Sequence, residues 1–321
     1  MNTYLLPSEG PAEPTHGNQP EAADRDAAGE DDGRPPCVLV FNASDPSGAG
    51  GLGGDALAIA SVGAHMLGVV TGVFARDTAE VFDHFPLDDE QVAEQARAIL
   101  EDVQVQVIKV GFGGSPDNLG RIAEAASDHP DVPVVAYMPH LSWWSDEEIE
   151  SYLDAFAELV LPQTAVLVGN HSTLWRWLLP DWSGDRPPLA RDIAKAAGEH
   201  GVSYTLVTGQ VRTDGVIENT LASPQAVIAT EKYERLEAVF SGAGETLSAA
   251  LAALLATGTD LAAATAEALA YMDRCLDAGF RPGMGHVLPD RLFWAQPEAE
   301  SDEDEEAAPS DFALPPHETR H

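Results

Sequence analysis

A short run of small residues ending in an acid, Gly242-Ala243-Gly244-Glu245, stands directly before a stretch rich in alanine and leucine. The stretch is typical of a helix, and a helix N-terminus carries free backbone N–H groups and partial positive charge. The two glycines allow those N–H groups to point at an oxyanion, and a carboxylate beside them can take a proton from an attacking hydroxyl. The motif leaves two interpretations of Glu245 open. It is the general base of a phosphoryl-transfer site, or it only stabilises the first turn of the helix.

A second candidate is the glycine-rich loop in the segment NASDPSGAGGLGGD, residues 42–55. Its Gly48, Gly50 and Gly53 have the G-x-G-x-x-G spacing of a dinucleotide-binding loop, and Asp77 follows about where an acidic ribose ligand would. The Asp-Pro pair and the surplus glycines do not suit that tight crossover. We therefore favour a loop whose backbone closely approaches another ligand, with an NAD(P) site and an unliganded turn as alternatives. A P-loop is excluded because no Gly-Lys-Ser/Thr occurs.

The strands and helices that position the two motifs can be predicted from apolar runs that alternate with amphipathic segments. The apolar runs predict buried strands, whereas the amphipathic segments have helical spacing. Such alternation predicts an α/β fold with a mostly parallel central sheet and helices on both faces, whose ligands bind at the carboxyl ends of the strands. Strands are predicted at 37–44, 67–74, 105–111, 132–138, 164–170 and 203–209, with a hairpin near 215–233, and helices at about 54–62, 88–103, 116–127, 146–159, 188–200, 243–257 and 260–278.

The chain is strongly acidic, since 53 Asp and Glu residues oppose 17 Lys and Arg residues and the net charge is −36. The basic footprint that nucleic-acid binding requires is missing. An acidic, lysine-poor surface suits a salt-rich, halophilic setting in which charge repulsion is screened. Residues 1–36 and 297–321 are acidic and contain few large apolar side chains, so we predict two disordered tails around a domain at 37–296.

Membrane, secretory and metal-binding signals are weak in this sequence. No apolar stretch is long enough to span a bilayer, and the N-terminus lacks the basic and apolar regions of a signal peptide. The two cysteines make neither a disulfide framework nor a metal cluster, and the histidines have no ligand spacing. We therefore expect a cytoplasmic protein with no metal held by its own side chains and no membrane or nucleic-acid partner.

Four segments occur in a recognisable order: SDPSGAGGLGGD, GVVTGVFARDT, IKVGFGGS and SGAGETLSAALAALLATG. Together they resemble the hydroxymethylpyrimidine/phosphomethylpyrimidine kinases of thiamine biosynthesis, which belong to the ribokinase superfamily. The similarity runs from about residue 38 to about residue 279. The resemblance implies a ribokinase-like fold, a homodimer, and phosphorylation of a small pyrimidine substrate, hydroxymethylpyrimidine or its monophosphate, with ATP and Mg²⁺.

The resemblance also implies roles for particular residues. Glu245 would be the base, at a position where this family usually has a cysteine and the wider superfamily an aspartate. The backbone of Gly242, Ala243 and Gly244 would form an anion hole. The substrate side would comprise Asp45, Gly50, Asp55, Arg76 and Gly111, and the nucleotide side Asn170, Thr208 and Gly209.

Several positions depart from the family pattern. Arg76 replaces a pyrimidine-binding glutamine, and because arginine can only donate hydrogen bonds, we predict a substrate that is more anionic than hydroxymethylpyrimidine or richer in hydrogen-bond acceptors. Thr208 stands about where the family has a phosphate-facing lysine, Met138 where it has a metal-side aspartate, and Thr173 where it has a glutamate. Neutralisation of the phosphates would then fall to Mg²⁺ held by the phosphates themselves and to other groups, with Arg76 and Lys109 as candidates. The departures favour, as an alternative, a non-catalytic relative that binds a pyrimidine or a nucleotide in a regulatory or partner role.

Overall fold

Nine strands form one sheet in the computed structural model, which describes residues 33–212 and 215–295. In chain order they are β1 (Cys37–Ser44), β2 (His65–Arg76), β3 (Val81–Pro86), β4 (Val107–Val110), β5 (Val134–Met138), β6 (Thr164–Asn170), β7 (Tyr204–Val211), β8 (Val216–Ala222) and β9 (Val227–Glu234). Their order across the sheet is β3-β2-β1-β4-β5-β6-β7-β8-β9. The six strands β2, β1, β4, β5, β6 and β7 are parallel, so their carboxyl ends meet at one edge.

Helices cover both faces of this sheet. They are α1 (Gly51–Ser61), α2 (Asp89–Leu100), α3 (Pro116–Ser127), α4 (Asp146–Ala155), α5 (His171–Leu178), α6 (Ala190–Glu199), α7 (Ala243–Ala256) and α8 (Leu261–Asp277). Successive side chains of β1 point to opposite faces of the sheet and pack against different layers of helices. Leu39 and Phe41 pack with α2 to α6, whereas Val38 and Val40 pack with α1, α7 and α8. This two-sided burial is why the central strands read as continuous apolar runs.

Helix α7 is the central helix of its face, and it is buried along almost its whole length. A helix that is apolar all round belongs in an interior. Its alanines are small enough for α1, α8 and the sheet to approach it closely, and they form part of the apolar core on this face. The N-terminus of α7 therefore has a fixed position, at the carboxyl-end edge of the parallel strands.

The predicted fold class, a mostly parallel sheet with helices on both faces, is confirmed. Each predicted strand and helix is found within a few residues of its expected bounds, except that α4 gives way to a π-helical turn at Phe156–Val160. Strand β3 and helix α5 were not predicted. β3 is short, half-polar and ends at a proline, and α5 has only eight residues, three of them Trp or Thr with modest helix propensity.

The predicted tails lie outside the described residues, except for residues 33–36. From Pro35 onward, the described residues belong to one compact unit. None of the helices that the structure describes is both long and apolar enough to cross a membrane.

A fully buried ion pair connects the sheet to helix α1. The Nζ atom of Lys109 on β4 lies 2.8 Å and 2.9 Å from the two carboxylate oxygens of Asp55 on α1. Asn42 on β1 donates to Asp55 Oδ2 at 2.8 Å. The Oδ1 atom of Asn42 accepts the backbone N–H groups of Ala43 and Phe112. A buried charge is tolerated only with such compensation, so removing one of these groups destabilises the others.

We expect Lys109→Met to lower the free energy of unfolding by about 3–5 kcal/mol, because it leaves the Asp55 carboxylate buried without a counter-charge. The double variant Lys109→Met/Asp55→Asn removes both charges and should recover most of the loss. Urea denaturation of the three proteins measures both effects.

The matched control is Arg97→Met, which breaks the pairs of Arg97 with Glu94 and Glu101 on the solvent face of α2. Exposed pairs contribute little, so this variant should keep the wild-type midpoint. Equal losses in Lys109→Met and Arg97→Met would contradict the importance given to the buried pair.

Candidate active site

A cavity of about 1060 Å³ opens at the carboxyl-end edge of the parallel strands. Its wall includes the ends of β2, β6 and β7, the segment after β5, and the first turn of α7. Nine of the predicted site residues line it: Asp45, Arg76, Asn170, Thr208, Gly209, Gly242, Ala243, Gly244 and Glu245. The structure therefore brings residues from widely separated segments to one place, where ligands of parallel sheets bind.

The turn that leads into α7 can be made only by glycine. Gly242 has a φ of +88°, and a Cβ on it would lie 1.5 Å from the carbonyl oxygen of Ala49. A Cβ on Gly244 would lie 2.5 Å from the hydroxyl oxygen of Tyr137. These close approaches leave the first backbone N–H groups of α7 in the cavity wall, where they suit an anion.

The Glu245 carboxylate lies between α7 and α1. Its Oε2 atom accepts the backbone N–H of Gly51 at 2.7 Å, and a Cβ on Gly50 would clash with this oxygen at 1.4 Å. Withdrawal from water raises the pKa of the Glu245 carboxyl, and the negative charge of Asp55 adds to the rise. The charge of Lys109 acts in the opposite direction. The result is a carboxyl group with more affinity for a proton than an exposed glutamate has.

The glycine-rich loop folds around the side chain of Asp45. The Oδ1 atom accepts from both the N–H and the hydroxyl of Ser47, and Oδ2 accepts the N–H of Gly50 at 3.0 Å. Together with Glu245, Asp45 thus fills the N-terminus of α1, where a dinucleotide pyrophosphate would need to sit. Gly53 has no close neighbour that would require a glycine. The arrangement speaks against the NAD(P) hypothesis.

Arg76 lines the cavity, but much of its guanidinium is already engaged. Its Nη1 atom lies 3.2 Å from Asp45 Oδ2, its Nη2 donates to Ser241 Oγ, and its Nε donates to the carbonyl of Asp77. Within residues 33–212 and 215–295, two of the five N–H groups of this arginine therefore remain for a ligand. Arg76 joins the end of β2 to the glycine-rich loop and to the segment before α7.

The predicted nucleotide-side residues lie together where β6 and β7 end. Asn170 Oδ1 caps α5 by accepting from the N–H and hydroxyl of Ser172, and its amide nitrogen lies against Gly209. Gly209 has a φ of +72° and donates its N–H to the side chain of Asn219. Thr208 Oγ1 donates to the carbonyl of Gly169 at 3.3 Å. A threonine here presents no positive charge to the cavity.

Three of the predicted substrate-side residues do not line the cavity. Asp55 is fully buried in its pair with Lys109. Gly111 is also buried, and a Cβ on it would lie 2.6 Å from the side chain of Asn42. Gly50 is packed against Glu245, as described above. All three residues pack behind the cavity wall and support the residues that line it.

One end of the cavity is aromatic. The rings of Phe74 and Phe112 are stacked with centroids 5.2 Å apart, and Trp143 meets each of them edge-on at 5.7 Å. Flat apolar walls of this kind favour a planar ring as ligand.

Met138 stands at the position of the family's metal-side aspartate. Its side chain is uncharged and buried in the core, so it brings no negative charge to the cavity. Among the described residues, no group of three or more His, Cys, Asp or Glu side chains is placed to hold a metal ion.

The sequence analysis did not identify Arg291. This residue near the C-terminal end of the domain binds both the glycine-rich loop and the first turn of α7. Its Nε donates to Thr246 Oγ1 at 3.0 Å, its Nη1 to the carbonyl of Gly48, and its Nη2 to the carbonyl of Ala49. Thr246 Oγ1 in turn donates to the carbonyl of Gly242. No local motif marks Arg291, because its partners lie more than 40 residues away.

Solved structures share this architecture. A pyridoxal kinase from Bacillus subtilis, solved as an ADP complex, has a TM-score of 0.71 and 20% identity, over 81% of this chain and 98% of that chain. A phosphomethylpyrimidine kinase from Clostridium difficile 630 has a TM-score of 0.60 and 19% identity, over 74% of this chain and 98% of that chain. The predicted ribokinase-like fold is confirmed.

The sequence assigns the chain within this fold. Residues 45–290 match the family described as phosphomethylpyrimidine kinase. A hydroxymethylpyrimidine/phosphomethylpyrimidine kinase from Streptomyces coelicolor is 28% identical over 273 residues, which are 81% of this chain and 96% of that protein. Its counterpart from Escherichia coli K12 is 25% identical over 259 residues, 78% of this chain and 94% of that protein. The chain belongs to the phosphomethylpyrimidine kinase family, as its motifs predicted.

Gly242→Ala should lower the free energy of unfolding by about 2–5 kcal/mol, because overpacking against Ala49 adds to the cost of a left-handed backbone. Urea denaturation measures the loss.

Gly258→Ala is the matched control, since Gly258 follows the other end of α7 with a φ of +84°, and no atom of the described part of the chain lies within 4 Å of its Cβ position. It should cost only the backbone strain, about 1–2 kcal/mol. A control that loses as much as Gly242→Ala would show that crowding at Ala49 is unimportant.

Proposed function

We propose that the chain is a kinase that uses ATP to phosphorylate hydroxymethylpyrimidine or its monophosphate. The observation that carries this proposal is the position of Glu245. Its carboxylate lines the cavity at the N-terminus of α7, is held by the N–H of Gly51, and has a raised pKa. A base beside an anion-binding helix terminus is what phosphoryl transfer to a hydroxyl requires.

The chemistry divides between Glu245 and the backbone of α7. As the acceptor oxygen attacks the terminal phosphorus, Glu245 takes the hydroxyl proton, the new O–P bond forms, and the bond to the departing ADP breaks. The N–H groups that follow Gly242 donate to the phosphoryl oxygens, where negative charge is concentrated. Because its pKa is raised, Glu245 is a stronger base than an exposed glutamate.

The residues at the cavity fit a nucleotide better than they fit a metal ion held by protein. Asn170, Thr208 and Gly209 lie at the carboxyl ends of neighbouring strands and share the cavity with the anion hole. Since the described residues offer no carboxylate cluster, Mg²⁺ would depend on the phosphates of ATP for most of its ligands. Its chemical contribution is to neutralise phosphate charge.

The acceptor side suits an aromatic alcohol. Phe74, Phe112 and Trp143 offer flat walls for a pyrimidine ring. The two unengaged N–H groups of Arg76 can bind an anionic substituent, which supports the monophosphate as one of the acceptors. The homodimer that the family resemblance implies stays a prediction.

A second candidate is a relative that binds the pyrimidine or the nucleotide without turnover. The buried Met138 and the uncharged Thr208 favour it, because both replace groups that would handle phosphate charge. Binding of ADP and hydroxymethylpyrimidine without phosphorylation of either acceptor would identify this second function.

Glu245→Gln should reduce turnover by about 10²–10⁴-fold with little change in ADP affinity, because the amide keeps the size of the side chain but cannot take the proton. Steady-state kinetics with ATP, Mg²⁺ and each of the two pyrimidines measures turnover, and calorimetry measures ADP binding.

Glu234→Gln is the matched control, since Glu234 lines the same cavity but belongs to β9 and not to α7. It should retain wild-type turnover. If Glu245→Gln also retained it, Glu245 would be reduced to a group that stabilises α7 and α1.

The pH dependence of the reaction follows from the raised pKa of Glu245. A base acts only when it is ionised, so kcat/KM should fall as the pH drops through that pKa, at a value above the ordinary 4.5. A profile between about pH 4 and pH 9 measures the acidic limb. The residual activity of Glu245→Gln should lack this limb, and an identical limb in both proteins would assign it to another group.

A further inference from the structure

Tyr137 lies beside the reacting centre, although no motif marks it. It is the penultimate residue of β5, on the face of the sheet that carries α7. Its ring packs against the first turn of α7, since a Cβ on Gly244 would lie 2.5 Å from the hydroxyl oxygen and 2.6–2.7 Å from two ring carbons. The side chain also lines the cavity. The hydroxyl is therefore next to the N–H groups that we expect to hold the transferring phosphoryl group.

The hydroxyl of Tyr137 is free to serve a ligand. Within residues 33–212 and 215–295 it makes no hydrogen bond to protein. The nearby Glu245 interacts with it only through charge. Because the half-buried side chain lines the cavity, its hydroxyl can meet a ligand there. The two most buried tyrosines have protein partners instead: Tyr152 accepts the N–H of Gly113, and Tyr271 donates to the carbonyl of Arg291.

The surroundings keep this hydroxyl protonated. Burial raises the pKa of Tyr137, and the negative charges of Glu245 and Asp55 raise it further. A phenol that does not ionise is a hydrogen-bond donor across the working pH range. The Tyr137 hydroxyl lies near Glu245 and the first N–H groups of α7. A donor in this position suits a ligand oxygen that carries negative charge.

We propose that the Tyr137 hydroxyl donates a hydrogen bond to an oxygen of the phosphoryl group during its transfer, as a further catalytic residue. The inference rests on the proposed function. In the step, the acceptor proton passes to Glu245, the acceptor O–P bond forms, and the bond to ADP breaks. Tyr137 keeps its proton throughout and contributes only the hydrogen bond.

This hydrogen bond compensates for positive charge that is missing at the phosphate end of the cavity. Thr208 and the buried Met138 bring no charge to the phosphate end, and the Lys109 ammonium is fully buried against Asp55. A neutral donor on a rigid strand binds a phosphoryl oxygen without a desolvated cation and needs no reorganisation. It becomes most effective when charge on the phosphoryl oxygens is held next to it, away from water.

The test is Tyr137→Phe, which removes one oxygen and keeps the ring against Gly244. We expect kcat to fall about 10- to 100-fold while KM for ATP stays within about twofold, because the lost bond is made chiefly in the transition state. Tyr204→Phe, the same deletion at the opposite end of the parallel strand β7, should leave kcat unchanged. Equal kcat for wild type and Tyr137→Phe would overturn the proposal.

A binding measurement separates this proposal from the proposed function. ADP with aluminium fluoride imitates the transferring phosphoryl group, and calorimetry gives its affinity whether or not the protein turns over a pyrimidine. Tyr137→Phe should bind the mixture at least about tenfold more weakly than wild type, with unchanged affinity for ADP alone. If wild type phosphorylates neither pyrimidine but shows this difference, only the assigned acceptor is wrong. If both proteins bind the mixture equally, Tyr137 is not a donor to the phosphoryl group.

Discussion

Two helix N-termini converge on one point, and the carboxylate between them makes that convergence stable. The partial positive charges of α1 and α7 would repel each other if nothing negative lay between them. Glu245 belongs to α7 and accepts the N–H of Gly51 in α1, while Asp45 accepts the N–H of Gly50. The ion pair of Asp55 with Lys109 holds α1 on the sheet behind this contact. The group proposed as the base is thus also a structural connection, which explains why its position is so closely defined.

Much of the fold could be predicted because its signal is local. A strand buried on both faces leaves an apolar run in the sequence, and each run from 37–44 to 203–209 corresponds to a strand of the parallel part of the sheet. The position of the Gly-Ala-Gly-Glu motif at the start of a helix was also readable, since the turn and the first residues of α7 are consecutive in the sequence. Strand β3 escaped because an edge strand with one partner needs no apolar run.

The rest of the site could not be predicted because it depends on partners far apart in the chain. Asp55 was expected beside the substrate, yet it is buried against Lys109, and the sequence does not state that β4 passes beneath α1. The spacing of Gly48, Gly50 and Gly53 suggested a dinucleotide loop, whereas the acids that fill the N-terminus of α1 come from Asp45 and the distant Glu245. Tyr137 looked like one more residue of an apolar strand, since nothing local distinguishes a cavity-facing tyrosine from a core one.

The bonds of Arg291 to the carbonyls of Gly48 and Ala49 join residues separated by 243 and 242 positions. The glycine-rich loop is synthesised long before the side chain that binds it, since Arg291 comes after the last described strand of the sheet, β9. Until then Arg291 cannot reinforce the contact between the loop and the first turn of α7, a contact that Glu245 already makes through the N–H of Gly51. The parallel strands can pair one after another as they emerge, whereas the contacts of Arg291 at the candidate site form last, when translation of the domain is nearly over.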